Sequence, residues 1–224
     1  MQLCIGMKKL ILNLFAICLI AASCSAFVRI DGLTFTVADA AYFHSSSTTP
    51  LPNLAEVGEM YYGGAEEQAR GMSEFDITGL TLPAAKAYVQ FEVVNDGGLF
   101  FTNDFSFDGN IAAEMYRGNN TEDLTDFWIP SFVQVADIST TGLMVGQTLM
   151  VEVTEALNYA MSKGDSALGI RLQADPLYYV NGGAWTFGDF EMLYTAVPEA
   201  RTTGALALVG LGVMLFALRR RRLA

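Results

Sequence analysis

The sequence predicts an all-β fold, an antiparallel sandwich or jelly roll with one short helix, flanked by an N-terminal signal helix and a C-terminal transmembrane helix. Three observations predict it. Ala87, Val89, Phe91 and Val93 alternate with Tyr88, Gln90, Glu92 and Val94, the period-two pattern of a strand with one buried face. Clusters of Gly, Asn and Asp recur at 95–98, 108–110, 118–120 and 181–183, and such clusters separate strands by turns. Two continuous apolar runs, 10–22 and 203–218, stand near the two ends of the chain.

Residues 1–26 read as an export signal. Met7, Lys8 and Lys9 supply a positive start, 10–22 an apolar stretch of 13 residues, and Ser23-Cys24-Ser25-Ala26 a small-residue site for signal peptidase, with cleavage expected after Ala26. As a helix, 13 residues span about 20 Å against about 30 Å of hydrocarbon, too short for a permanent anchor. A lipoprotein reading of Cys24 stays open, although Ala21-Ala22-Ser23 lacks a large aliphatic residue three places before it. All three cysteines (Cys4, Cys18, Cys24) fall here, so the domain beyond is expected to stand without disulfides or Cys-ligated metal. At that length a chain buries about 70% of its unfolded-state surface, enough to be held by its own core.

Residues 27–196 are the expected extracytoplasmic domain. Besides 87–94, strands are predicted at 33–38, 99–105, 111–116, 132–136, 148–153, 168–172 and 185–194. One helix is predicted, with Thr154 as its cap, Leu157, Ala160 and Met161 as its apolar stripe, and Lys163-Gly164 as its end. Residues 45–52 read as a solvated loop. The segment carries six Lys+Arg against 23 Asp+Glu, a net charge of −17. A field of that sign repels phosphate backbones and excludes nucleic acid as a partner.

The last 28 residues, 197–224, combine Val197-Pro198-Glu199, an apolar run at 203–218 containing Gly210-Leu211-Gly212, and the terminal cluster Arg219, Arg220, Arg221 and Arg222. Sixteen residues rise about 24 Å as a helix, enough to cross a bilayer when the arginines snorkel. Four arginines stay on the cytoplasmic side, which puts 27–196 outside, in agreement with the N-terminal signal. This order of parts resembles the PEP-CTERM sorting signal of Gram-negative bacteria, with Ala200 where that family usually has proline. The resemblance implies recognition by an exosortase, a membrane enzyme that cuts near the motif and releases or re-attaches the outer domain. Two patches of the middle domain, 70–77 with 84–93 and 151–160 with 164–172, are similar to the DNRLRE family. That resemblance implies a carbohydrate-binding-like jelly roll of a secreted bacterial protein.

No Gly-x-Ser-x-Gly elbow or phosphate loop occurs, and the lone His44 beside a serine-rich loop reads as an ordinary surface histidine. The pairs Glu66/Glu67, Glu122/Asp123 and Asp189/Glu191 are neighbours that 23 acidic residues produce by chance. Asp104, Ser106 and Asp108 before Gly109 place oxygens at alternate positions, as a Ca²⁺ loop does. Met115 at the twelfth position and strand-like flanks favour a plain acidic turn instead. Trp128, Trp185, Tyr178 and Tyr179 offer aromatic faces for sugar rings, with Tyr178 and Tyr179 in the most loop-like context. No cofactor other than this candidate Ca²⁺ is implied.

The expected function is that of a non-enzymatic cell-envelope or extracellular-matrix protein. It is tethered to the inner membrane, then processed to the cell surface or beyond, and associated with exopolysaccharide. A dedicated carbohydrate-binding module is the alternative, and a secreted polysaccharide hydrolase or lyase the third reading. The topology is directly testable. A reporter active only in the cytoplasm, fused after Thr195, is expected to stay silent, and a signal from it would refute export.

Overall fold

Alternating apolar residues draw most of the chain into strands, and the computed structural model describes them for residues 27–38, 53–62, 65–80, 83–99, 105–175 and 182–197. In chain order they are β1 (Val28–Asp31), β2 (Leu33–Ala38), β3 (Leu54–Tyr62), β4 (Ala65–Asp76), β5 (Ala84–Asn95), β6 (Asn110–Gly118), β7 (Ser131–Ser139), β8 (Thr148–Glu152), β9 (Ala167–Asp175) and β10 (Gly183–Ala196). A 3₁₀ turn (Leu124–Trp128) precedes β7, and α1 (Thr154–Lys163) joins β8 to β9. The fold is therefore all-β and mostly antiparallel, with one α-helix among the described residues.

The strands run β7-β6-β9-β4-β3-β10-β5-β8, with β1 added to β10 and β2 to β4. Two long strands change partners along their length. β4 pairs with β3 through Ala65–Ala69, then with β9 through Gly71–Asp76. β10 pairs with β3 through Gly183–Gly188 and with β1 through Glu191–Tyr194. Between those halves Asp189 adopts a positive φ of 53°, a conformation that Asp tolerates better than most residues.

Period two gives each strand two faces. On β9, Leu168, Ile170 and Leu172 occupy one and Gly169, Arg171 and Gln173 the other. On β6, Ile111, Ala113 and Met115 are opposed by Ala112, Glu114 and Tyr116. The first face of each strand is wholly buried in the apolar core. Elsewhere in that core Phe91 stacks flat on Phe190 at 4.8 Å and meets Phe187 edge-on at 5.6 Å. A second cluster, Phe35, Val37, Met72, Tyr116 and Phe127, lies against Leu124 and Ile129. Its members from β2, β4 and β6 share the face opposite Ile170 and Met115.

The helix departs from expectation at both its start and its stripe. Val153, not Thr154, is the N-cap, and no side chain caps it. Thr154 instead accepts the Ala87 N–H at 3.0 Å. Asn158 accepts the Ala84 N–H at 2.7 Å and donates to the Ala84 carbonyl at 3.1 Å, so α1 completes the end of β5 as a neighbouring strand would. Ala156 joins Leu157 and Ala160 on the buried stripe, while Met161 is only half-buried. Gly164 ends the helix at φ 74°, with the Asp165 N–H on Ala160 and its own N–H on Met161, both at 3.1 Å.

Three strands, β1, β3 and β4, were not expected from alternation, and 70–77 of β4 was singled out only by the DNRLRE resemblance. Leu99 and Phe105, the ends of an expected strand, lie outside strands, and 100–104 fall outside the described residues, as do 1–26, 45–52 and 198–224. Among the described residues no helix is long and apolar enough to cross a membrane.

Gly169 is held to glycine by space. A Cβ there would stand 2.2 Å from Cζ of Tyr116, whose ring lies across it. Gly169→Ala is expected to cost about 1–3 kcal/mol, the range of an overpacked core. Thermal unfolding should show that added cost largely vanish in a Tyr116→Ala background, because the two changes share one space.

Candidate functional site

Register brings together a set of polar residues that alternation alone does not reveal. Glu74 of β4 is opposite Gly169 of β9, which is opposite Tyr116 of β6. One step along, Met72, Arg171 and Glu114 form the next row. All these residues share the sheet face opposite Ile170. Two glycines make room on it. Tyr116 reaches over Gly169, and the Glu74 carboxylate reaches toward Gly118, where a Cβ would meet Glu74 Cδ at 2.6 Å.

The segment 119–130, between β6 and β7, closes this face as a strap. Its first amides, Asn119 and Asn120, donate to Glu74 Oε2 at 2.8 and 2.5 Å. Asp123 caps the 3₁₀ turn by accepting the Thr125 N–H at 2.7 Å, and Asp126 Oδ2 accepts the Asp123 N–H at 3.0 Å, a reciprocal capping box. Phe127 enters the second apolar cluster. The guanidinium of Arg70 sits 3.9 Å from the centre of the Phe127 ring and donates to the Phe127 carbonyl at 2.6 Å. Gln68 Oε1 steadies that guanidinium from Nε at 3.1 Å and Nη2 at 3.0 Å. Arg171 donates to the Ile129 carbonyl at 2.9 Å and pairs with Glu114. Two arginines thus grip the strap's carbonyls while one glutamate grips its amides.

The electrostatics follow from burial. Asp126 is fully buried, and its carboxyl is pushed up to about 6 by loss of water first, with the charges of Glu74 and Asp123 adding and the Asp123 N–H opposing. The Tyr116 hydroxyl is raised well above its ordinary value by burial and then by Glu74, with Asp126 adding and Arg171 opposing. On this face, among the described residues, Gln68 Nε2, Asp126 Oδ1, Arg171 Nε and Gln173 Oε1 are buried without a hydrogen-bond partner, and the Tyr116 hydroxyl is set against the Glu74 carboxylate. Donors and acceptors are mixed, a set that suits a proton or a hydroxyl group better than a bare cation or anion.

On the outer side of the strap Trp128 is 68% exposed, with its ring edge-on to Phe127 at 4.7 Å. Trp185, one of the candidate stacking aromatics, is buried, as aromatics of a β-sandwich more often are, with its indole N–H on the Phe107 carbonyl at 3.0 Å. Asp123 is a cap, and Glu191 pairs with Arg29 at 3.0 Å, which gives both structural roles. Of the candidate Ca²⁺ residues, Ser106 is half-buried and Asp108 exposed, and Asp104 falls outside the described residues. Among the described residues no three His, Cys, Asp or Glu side chains group closely enough to hold a metal ion. Val197 is exposed just past β10, while His44, Tyr178, Tyr179, Pro198, Glu199, Arg219, Arg220, Arg221 and Arg222 lie outside the described residues.

Sequence reasoning passed over Glu74, Tyr116, Asp126 and Arg171 as a set. One signal was present: Gly169 and Arg171 interrupt the apolar run Leu168, Ile170, Leu172 at alternate positions. The chain matches no protein-family model and no curated protein.

Arg171→Ala removes the buried guanidinium, strips the half-buried Glu114 of its cation and frees the Ile129 carbonyl. It should cost about 3–5 kcal/mol, the range for breaking a buried pair from one side. Arg117→Ala removes an exposed guanidinium from an Asp165 carboxylate that is only 8% exposed, and should lower the melting temperature measurably but less than Arg171→Ala, because the lost cation is solvated.

Proposed function

We propose that the chain is an exported, non-enzymatic protein of the cell envelope or extracellular matrix. In this reading it is sorted through a PEP-CTERM-like tail and associated with exopolysaccharide. Residues 1–26 are its signal peptide, 27–196 a sandwich or jelly-roll domain outside the inner membrane, and 197–224 a tail whose 203–218 helix tethers it until processing. The observation that carries the reading is the residue order itself: Val197-Pro198-Glu199, the apolar run 203–218 and Arg219–Arg222, together with Lys8-Lys9 and the apolar run 10–22. The end of β10 at Ala196 supports it, because the exposed Val197 leads directly from folded strand into the motif.

A dedicated carbohydrate-binding module is the second reading, favoured by Trp128. An indole two-thirds exposed on a segment held by two arginines is a ready stacking surface for the apolar face of a pyranose.

Glu199 is the one acidic residue of the tail, just outside the apolar run, and so a natural handle for a processing enzyme. Glu199→Ala is expected to leave the full-length chain in the membrane. Fractionation and mass measurement of the C-terminus, in cells with and without the exosortase, check this. An identical uncleaved tail in both would leave an ordinary single-span anchor.

A further inference from the structure

We propose that residues 119–130 are a proton-operated latch, closed on the β4–β9–β6 face while Asp126 holds a proton and opening more often when Asp126 ionises against Glu74. The geometry supplies both halves of such a device. Glu74 on β4 binds the start of the strap through the amides of Asn119 and Asn120, and Asp126 within the strap is fully buried, one oxygen closing the capping box on the Asp123 amide. Asp126 Oδ1 is buried without a partner, and the buried Tyr116 hydroxyl, set against the Glu74 carboxylate, belongs to the same electrostatic cluster. A proton on Asp126 turns one of these acceptors into a donor among acceptors.

The charged and titratable groups around Asp126 come from every element packed there. Glu74 and Arg70 belong to β4, Tyr116 and Glu114 to β6, Arg171 to β9, and Asp123 to the strap itself. Both arginines already hold partners, and only the Arg171 Nε–H remains unpaired. Arg171 is engaged by Glu114 and Ile129, and Arg70 by Phe127 and Gln68. Ionised Asp126 therefore adds to a carboxylate excess that water screens only when the strap lifts.

The sign follows from linkage. The closed form holds the Asp126 proton more tightly than an exposed aspartate, so closure is most favoured at low pH and loses stability as pH rises toward about 6. With an exposed value of about 3.9, the open fraction grows about tenfold between about pH 5 and about pH 7.5. Phe127 and the two arginines keep the closed form dominant at both, so the effect is one of opening frequency.

Amide hydrogen exchange on the purified full-length chain in detergent, corrected for intrinsic pH dependence, reads this directly. Peptides covering 119–130 are expected to lose protection about tenfold from about pH 5 to about pH 7.5, while β5 and β10 do not change. Asp126→Asn keeps the acceptor for the Asp123 amide and cannot ionise, so the pH response of the strap should disappear. Equal strap protection in the unaltered chain at the two pH values would overturn the latch, with no variant needed. So would an undiminished response in Asp126→Asn.

Discussion

A buried charge must find a partner, and in this domain that requirement organises a whole layer of structure. The β6–β9–β4 sheet has one face in the apolar core and Arg171, Glu114, Glu74 and Tyr116 on the other. Left open, that face would be the solvated side of an ordinary antiparallel sheet. Covered, it demands hydrogen bonds, because an unpaired buried charge costs several kcal/mol. The strap meets the demand with backbone groups rather than side chains. Its carbonyls answer the two arginines, and its amides answer Glu74.

The consequence is a lid with a specified position. Phe127 supplies an apolar driving force of about 2–3 kcal/mol for its burial, but apolar contact alone is non-directional. Register comes from the polar contacts. Glu74 sets where the strap leaves β6, the Asp123–Asp126 box sets the turn, and Arg171 at Ile129 sets where it enters β7. Gly118 and Gly169 are the space this requires, since a side chain at either would occupy the volume of Glu74 or Tyr116. The incompletely paired atoms that remain sit between these anchors, where titration can bias the closed state without unfolding the sheet.

Much of the fold was legible from alternation. β2 matches its expected range, and β5, β6, β7, β9 and β10 are the expected strands grown at their ends by one to three residues. What escaped is informative. β3 and the first half of β4 are rich in Ala, Glu, Gln and Gly, which intrinsically disfavour strands, and tertiary pairing overrides them. The polar layer escaped for a related reason. Glu74 and Arg171 read locally as the solvent side of a strand, and nothing local says that a segment 46 residues from the one and 42 from the other will cover them. Trp185 and Trp128 are indistinguishable as residue types, and only the fold buries one and exposes the other. The helix end, by contrast, was fully local, because Lys163-Gly164 encodes its own stop.

The same pairing rule bears on what the outer surface can meet. The domain has six cations, and each already has a partner: Arg29 with Glu191, Lys86 with Glu152, Arg117 with Asp165, Arg171 with Glu114, Arg70 with Phe127 and Lys163 over Tyr159. The net charge of −17 is therefore unrelieved by any cationic patch among the described residues. A polyanionic saccharide approaching this surface meets repulsion that salt screens but does not reverse. A neutral chain does not, since it is held by stacking and hydroxyl contacts that are indifferent to the sign of the field. If the domain touches polysaccharide without bridging cations, its own charge selects the neutral kind, and Trp128 on the strap is the surface equipped to hold it.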